Sequence, residues 1–270
     1  MTSPAVLDSG HLGPGLPFLR LGEGPPLVFL PGLTADHDVP RGQELRMQLD
    51  LVRPFAAGRT VWWINRRRGL PAGATMADLA RNYADVLREL FDGPVDVLGH
   101  STGGSVALQL ALDHPGLVRR LVLLSSAYRL GTGFRTLQRD LARLLREHRV
   151  RRASARLLRG MAAGPATGLP LGALGWVLGR RVLGGGGPDL LATLAAEDAF
   201  DAGDRLHGLQ CPLLVVGGGR DAGYGTWLFT ETARRAPDGR VVLYPRRGHL
   251  GTPAEPGLPA AVRRFLDAPG

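Results

Sequence analysis

The sequence predicts an α/β fold with a doubly wound, mostly parallel sheet that carries helices on both faces. Short apolar segments rich in Val and Leu alternate along the chain with longer segments of helical periodicity. The apolar segments are bounded by Gly, Pro or Asn, which is typical of strands buried inside a sheet. We expect these strands at residues 27–30, 60–64, 95–98, 121–124, 213–216 and 241–244.

The segments between these strands have the apolar spacing of amphipathic helices. Because a parallel strand needs a crossover connection to reach its neighbour, helices in these positions fit a parallel sheet better than hairpins would. The helices are expected at residues 43–55, 76–91, 102–113, 226–236 and 259–266.

Residues 129–207 interrupt this alternation, because no convincing strand occurs there. We therefore predict a helical cap, or lid, at 129–207, inserted between two parts of one core at 1–128 and 208–270. Its first helix has arginines on one face and leucines on the other. The arginine face either contacts solvent or meets an acidic substrate or an anionic membrane surface. The arginines are Arg135, Arg139, Arg143 and Arg146, and the leucines are Leu137, Leu141, Leu144 and Leu145.

The composition excludes several classes of protein. The chain has 270 residues, 44% of them hydrophobic, so it can bury a sizeable core. All basic residues are arginine. We interpret the net charge of +9 as a result of the overall composition, spread over a solvated surface. Aromatic residues make up 6% and are not interleaved with basic ones, so no nucleic-acid partner is expected. The single cysteine, Cys211, excludes an intrachain disulfide and a cysteine metal cluster, and we expect it to be buried.

The sequence predicts neither a signal peptide nor a membrane span. Residues 1–15 lack a basic start and a continuous apolar core, so we expect a cytoplasmic protein. Residues 160–179 are uncharged, but they are rich in glycine and contain Pro165 and Pro170. We expect this stretch to form a pliable apolar part of the cap.

The strongest chemical signal is Gly-His-Ser-Thr-Gly at residues 99–103. It follows a predicted strand and opens a predicted helix, and in that context it indicates a turn that presents Ser101 as a nucleophile. Such a turn strains the backbone, and glycines on either side of the serine avoid steric clashes. A phosphate-binding loop of the Walker type is excluded because the chain has no lysine.

A serine nucleophile needs a base and an acid that orients the base. His249 lies just after the strand predicted at 241–244, and Asp221 lies just after the strand predicted at 213–216. The carboxyl ends of parallel strands meet at one edge of the sheet, so we expect both residues near Ser101. His37 is a weaker candidate for the base. The other candidates for the acid are Asp198, Asp201 and Asp204.

The loops at this edge carry two further features. The oxyanion formed during acyl transfer needs two hydrogen-bond donors. We expect the backbone N–H of Thr102, at the start of a helix, and of Leu33, after the strand predicted at 27–30. Residues 217–222 also match part of a dinucleotide-binding pattern, but no acidic residue ends the next strand, so we expect no nucleotide cofactor.

Together these motifs resemble the α/β-hydrolase family over most of the chain. Leu-Pro-Gly at 30–32 resembles its oxyanion loop, and residues 99–103 with Gly104 and Ala107 resemble its nucleophile turn. His114-Pro115, Asn65-Arg66-Arg67 with Gly69-Leu70, residues 215–221 and residues 247–249 are also similar to bacterial members. The resemblance implies a triad of Ser101, His249 and Asp221, and a cap at the position of residues 129–207. The serine nucleophile argues against the dehalogenases and epoxide hydrolases of this fold, which use aspartate.

The sequence therefore predicts a cofactor-free serine hydrolase that cleaves a carboxylic ester through an acyl-enzyme. The apolar cap indicates a small to medium hydrophobic substrate. The same triad could serve a perhydrolase or haloperoxidase, a lactonase, a thioesterase or a C–C bond hydrolase. A ligand-binding member without activity and a protein that contacts membranes through the arginine-rich cap are further alternatives. The oligomeric state is not predicted.

Overall fold

A computed structural model describes residues 6–269, and one eight-stranded sheet forms the centre of the structure. The order of the strands is β1-β2-β4-β3-β5-β6-β7-β8. The first two pairings, β1 with β2 and β2 with β4, are antiparallel, and all pairings from β4 to β8 are parallel. The strands are β1 (Val6–Leu12), β2 (Leu16–Leu21), β3 (Pro26–Leu30), β4 (Thr60–Ile64), β5 (Val95–His100), β6 (Val118–Leu124), β7 (Leu213–Gly218) and β8 (Gly239–Tyr244).

Helices cover both faces of the sheet, so the predicted fold class is confirmed. In β3, Val28 and Leu30 join one apolar core, while Leu27 and Phe29 join the other. This alternation is the two-residue period of a strand that is buried on both faces. The helices are α1 (Gly42–Val52), α2 (Met76–Leu90), α3 (Thr102–Asp113), α4 (Thr132–Arg146), α5 (Val150–Gly160), α6 (Pro165–Leu178), α7 (Arg180–Leu183), α8 (Pro188–Asp198), α9 (Gly225–Arg235) and α10 (Leu258–Leu266).

Five of these helices, α4 to α8, lie between β6 and β7 in the sequence. The leucine face of α4 is buried, as its spacing predicts: Leu137, Leu141, Leu144 and Leu145 all belong to the larger core. Among residues 6–269, no helix has the combination of length and apolar character needed to cross a membrane. Cys211 is buried just before β7.

The antiparallel strands β1 and β2 were not predicted. The side chains of β1 are mostly exposed, so this strand has no apolar alternation that a sequence could reveal. Strand β2 is largely buried but contains Pro17, which argues against a strand within a sheet. Because Pro17 lies near the start of the strand, β2 still pairs with β4 from Phe18 to Leu21.

Candidate active site

Ser101 lies on a strained turn between β5 and α3. Its backbone has φ of 51° and ψ of −122°, outside the regions that residues with a side chain normally adopt. The glycines allow the turn to close: a Cβ on Gly103 would overlap the carbonyl oxygen of Leu30, and one on Gly99 would overlap that of Gly103. The turn presents the Ser101 hydroxyl at the carboxyl edge of the sheet.

The structure brings the three residues predicted to form a triad together. The Ser101 Oγ lies 3.0 Å from His249 Nε2, and His249 Nδ1 lies 2.8 Å from Asp221 Oδ2. Ser101 follows β5, Asp221 follows β7 and His249 follows β8. The two hydrogen bonds therefore join loops from three parallel strands, all at the carboxyl edge of the sheet.

The Asp221 carboxylate is held on both sides. Its second oxygen, Oδ1, accepts hydrogen bonds from the backbone N–H groups of Gly223 (3.0 Å) and Tyr224 (3.2 Å). Asp221 and His249 are only 3% and 2% exposed. Because both carboxylate oxygens have hydrogen-bond partners, this buried acid cannot easily rotate away from His249.

Aromatic rings fix the plane of the His249 imidazole. Phe134, from α4, packs edge-on against it at 4.5 Å between ring centroids. The rings of Tyr224 and His100 lie nearly parallel to the imidazole, with 6.0 Å and 6.2 Å between the ring centroids. A residue from the α4–α8 segment thus contacts the imidazole directly, although the sequence gives no sign of this contact.

The loop that contains Leu33 is held in place by a buried arginine. The Arg66 guanidinium donates to the carbonyl oxygens of Pro31 (3.2 Å) and Gly32 (2.8 Å), and to Thr34 Oγ1 (3.0 Å). Asn65 adds a hydrogen bond from its Nδ2 to the same threonine hydroxyl. This loop and the start of α3, where helix N–H groups lack intrahelical acceptors, both border Ser101.

His37, the weaker candidate for the base, is part of this support and does not contact Ser101. Its Nδ1 faces the carbonyl oxygen of Arg67 at 3.0 Å, so its Nε2 is free to accept a hydrogen bond from Arg66 Nε at 3.2 Å. Burial, together with the Arg66 charge, lowers the pKa of His37 to about 3. Burial likewise lowers the pKa of His100 to about 3.

The lowered pKa values of His37 and His100 lead to a prediction of how the stability of the protein depends on pH. The unfolded chain binds a proton at each near pH 6.5, whereas the folded protein does so only near pH 3, so stability falls as the pH drops through this interval. The free energy of unfolding should fall by up to about 1.4 kcal/mol per pH unit for each histidine. In His37→Gln, which keeps a donor and an acceptor, the fall should be shallower.

Urea unfolding at a series of pH values between about 7 and 4 measures this slope. The matched control is His207→Gln, which changes an exposed histidine and should leave the slope as in the wild type. Equal slopes for His37→Gln and the wild type would contradict the assignment.

The site also contains an acid that sequence reasoning missed. Glu197, at the end of α8, is 1% exposed and accepts hydrogen bonds from Thr102 Oγ1 (2.9 Å), Ser105 Oγ (3.1 Å) and Gln138 Nε2 (2.6 Å). Burial raises the pKa of Glu197 above its usual range. This carboxyl group ties α8 and α4 to the first turn of α3, directly after Ser101.

The other aspartates considered as the acid lie elsewhere. Asp198 pairs with Arg135 and Arg139 at the surface, and Asp201 lies 3.8 Å from Arg129. Asp204 is exposed in the 3₁₀ helix Gly203–Gly208. Asp221 is therefore the one of these acids that reaches His249.

A narrow, largely apolar cavity opens beside Ser101. Leucine, methionine and aromatic side chains form most of its wall, four of them from α4 and α5, and Gln138 and Glu197 add polar groups. The residues that line it are Leu33, Ser101, Thr102, Leu130, Phe134, Leu137, Gln138, Leu141, Leu157, Met161, Glu197 and Tyr224.

A hydrogen-bonded Ser–His–Asp constellation at the carboxyl edge of a doubly wound sheet is the arrangement found in serine-dependent hydrolases of this architecture. Comparison with known proteins agrees with this class. A sequence model of the alpha/beta hydrolase family matches residues 27–262, and the chain belongs to that family.

Named relatives include two bacterial hydrolases. The chain is 30% identical to a pimeloyl-[acyl-carrier protein] methyl ester esterase of Neisseria meningitidis over 175 residues, which are 62% of this chain and 66% of that protein. It is 44% identical to a putative carbamate hydrolase RutD of Yersinia enterocolitica over 57 residues. That match covers 21% of this chain and only 20% of the relative.

The fold is also similar to solved structures. One is a thermophilic esterase from Thermogutta terrifontis, with a TM-score of 0.72 and 23% sequence identity. The alignment covers 98% of each chain. At this identity the likeness establishes the common fold.

Proposed function

We propose that this protein hydrolyses carboxylic esters through an acyl-enzyme, with Ser101 as nucleophile, His249 as general base and Asp221 as the acid that orients it. The observation that carries the proposal is the pair of hydrogen bonds from Ser101 Oγ to His249 Nε2 and from His249 Nδ1 to Asp221 Oδ2. The methyl ester esterase among the relatives supports ester cleavage for this chain.

In the first half-reaction, Ser101 Oγ attacks the ester carbonyl carbon while His249 Nε2 takes the hydroxyl proton. The tetrahedral oxyanion is stabilised by the backbone N–H groups of Leu33 and Thr102. His249 then gives its proton to the departing alkoxide, which leaves as the alcohol, and the acyl group remains on Ser101. Water repeats the sequence: it loses a proton to His249, and the acid is released as Ser101 regains its proton.

Arg66 acts as a positioning residue in this scheme. By binding the carbonyl oxygens of Pro31 and Gly32, it fixes the orientation of the peptide groups that precede Leu33. Preorganised donors are effective because they need not reorient when the negative charge develops. The His37 imidazole, neutral at physiological pH, completes the set of acceptors around the guanidinium without adding a charge.

We further propose that residues 129–207 form a cap over this site and that the cavity beneath it binds the acyl group. Phe134 of this segment contacts His249, and Leu137, Leu141 and Leu157 line the cavity. An apolar wall favours a hydrophobic acyl chain because transfer of each CH₂ group from water contributes about 0.8 kcal/mol. The narrowness of the cavity supports a small to medium substrate.

A fluorophosphonate probe tests the proposed function, because it forms a stable bond only with an activated serine. One equivalent of the probe should be incorporated, and the modified peptide should contain Ser101. Hydrolysis of p-nitrophenyl butyrate should fall in proportion to the amount of probe incorporated. Full esterase activity in protein whose Ser101 has been modified, or modification of another residue with loss of activity, would reject the proposal.

We expect the cavity wall to limit the length of the acyl chain that the site accepts. Leu141→Ala removes part of the cavity wall, so the p-nitrophenyl ester with the highest kcat/KM should become longer by roughly two or three carbons. The matched control is Leu144→Ala, which truncates a buried leucine of the same helix that does not line the cavity. Both variants should lose about 2 to 5 kcal/mol of stability. The assignment fails if they change the acyl preference equally or not at all.

A further inference from the structure

Helix α6 (Pro165–Leu178) is packed with its small residues inwards and its large apolar residues outwards. Gly168, Gly172 and Gly175 are buried, whereas Leu169 is 66% and Val177 is 75% exposed. Of the nine large hydrophobic side chains that are exposed within residues 6–269, four belong to this helix: Leu169, Leu174, Trp176 and Val177. The helix carries no charged side chain.

Contacts with α5 (Val150–Gly160) fix this orientation. A Cβ on Gly175 would overlap the carbonyl oxygen of Ser154, and one on Gly172 would lie 3.4 Å from the Cβ of Arg159. Because the backbones of the two helices approach this closely on the glycine face, α6 cannot rotate to bury its leucines and Trp176. The apolar surface is therefore a permanent feature of the folded protein.

A group of arginines adjoins the exposed end of α6. Arg151 and Arg152 of α5 and Arg180 and Arg181 of α7 are all exposed, and with Trp176 and Val177 they line one groove. Across residues 6–269, none of these four guanidinium groups has a carboxylate within ion-pair distance. Their charge is therefore available to an anionic partner.

Three of the four arginines of α4, Arg135, Arg139 and Arg143, differ in this respect. Arg139 pairs with Asp198 at 3.1 Å, and Arg143 pairs with Glu147 at 3.1 Å. The basic face that the sequence indicates on α4 is thus partly neutralised by acids of the same segment. The four arginines beside the apolar face of α6 have no such acidic partners within residues 6–269.

We propose that α6 and the four arginines, here called the docking surface, bind an anionic lipid bilayer. A helix lying in the interface buries its apolar face among the acyl chains while nearby cations bind lipid phosphates. Trp176 suits the headgroup region, because tryptophan is enriched there, and arginine binds phosphate through two hydrogen bonds. A purely acidic protein would match the arginines but would leave Leu169 and Val177 without a partner.

The docking surface is connected to the candidate active site. Ala163, between α5 and α6, packs so closely against Gly248 that a Cβ on this glycine would lie 2.8 Å from the alanine side chain. Gly248 precedes His249, and Met161 lines the cavity beside Ser101. Docking would therefore bring the cavity wall to the membrane surface. The docking inference does not depend on the reaction that the site performs.

Vesicle flotation with the full chain tests the inference. We expect binding to vesicles of equal parts phosphatidylcholine and phosphatidylglycerol, and little binding to phosphatidylcholine alone. Trp176→Ser and the double variant Arg180→Gln/Arg181→Gln should each weaken binding about 10-fold or more. The matched controls are Trp227→Ser and Arg263→Gln/Arg264→Gln, which change exposed residues of α9 and α10 and should bind as the wild type does.

Three results would overturn the inference. The first is no flotation with the anionic vesicles. The second is an equal loss of binding in Arg263→Gln/Arg264→Gln, which would indicate attraction to the net charge of the whole chain. The third is binding of an acidic polypeptide such as polyglutamate that requires Arg180 and Arg181, while anionic vesicles are not bound. Melting curves that match the wild type show that each variant is folded.

Discussion

Replacing Ser101 by alanine is expected to lower the turnover of a p-nitrophenyl ester by at least about 10⁴-fold. In the proposed mechanism the Ser101 hydroxyl oxygen forms the covalent bond with the acyl group, and alanine has no atom that can do so. Steady-state kinetics at saturating substrate measures the loss. Incorporation of a fluorophosphonate should disappear in the same variant.

The matched control for this prediction is Ser125→Ala. Ser125 is also a buried serine with a positive φ, of 50°, and it directly follows the neighbouring strand β6. Alanine keeps the Cβ at both positions, so both variants retain the backbone strain of the wild type. Ser125→Ala should stay active and react with the probe. If Ser101→Ala still reacts with the probe and keeps its activity, Ser101 is not the nucleophile.

The proximity of Ser101, Asp221 and His249 could be predicted because it depends on one simple rule. Parallel strands carry their connecting loops at fixed edges of the sheet, so residues that follow β5, β7 and β8 meet at the carboxyl edge. The strands themselves are buried on both faces and are visible as apolar segments. The glycines around Ser101 are visible for a related reason, because the turn leaves no space for a Cβ.

The supporting contacts could not be predicted in this way. Arg66 binds Pro31 and Gly32 across more than thirty residues of sequence, and Glu197 accepts hydrogen bonds from Thr102 and Ser105 across more than ninety. Each contact depends on how two loops or helices meet in space, which local periodicity does not determine. Arg66 lies in the polar run Asn65-Arg66-Arg67-Arg68 just after β4, so the local sequence does not single it out as the arginine that becomes buried.

The orientation of helix α6 could not be predicted from the sequence either. Its sequence, uncharged and rich in glycine, predicts an apolar part of the cap, but it does not reveal which face is exposed. Helical apolar residues usually point to the core, and here the glycines do so. The close approach of α5 decides the orientation, and that approach becomes evident only when the two helices are seen together.

Replacing Asp221 by asparagine is expected to reduce kcat by about 10⁴-fold while the protein remains folded. The reason is that both oxygens of the Asp221 carboxylate already take part in hydrogen bonds. Oδ1 accepts hydrogen bonds from the N–H groups of Gly223 and Tyr224, so the asparagine carbonyl must take that position. The amide NH₂ then faces His249 Nδ1 and donates to it. This stabilises the tautomer that is protonated at Nε2, which cannot accept the Ser101 proton.

The tautomer can be measured directly, because the ring nitrogens of His249 have different ¹⁵N chemical shifts when protonated and when not. In the wild type the proton should lie on Nδ1, and in Asp221→Asn it should lie on Nε2. The matched control is Asp198→Asn, which removes a surface carboxylate paired with arginines and should change neither the tautomer nor kcat. A loss of activity without a change of tautomer would show that Asp221 acts by holding its loop, whereas the two changes together identify it as the acid that orients the base.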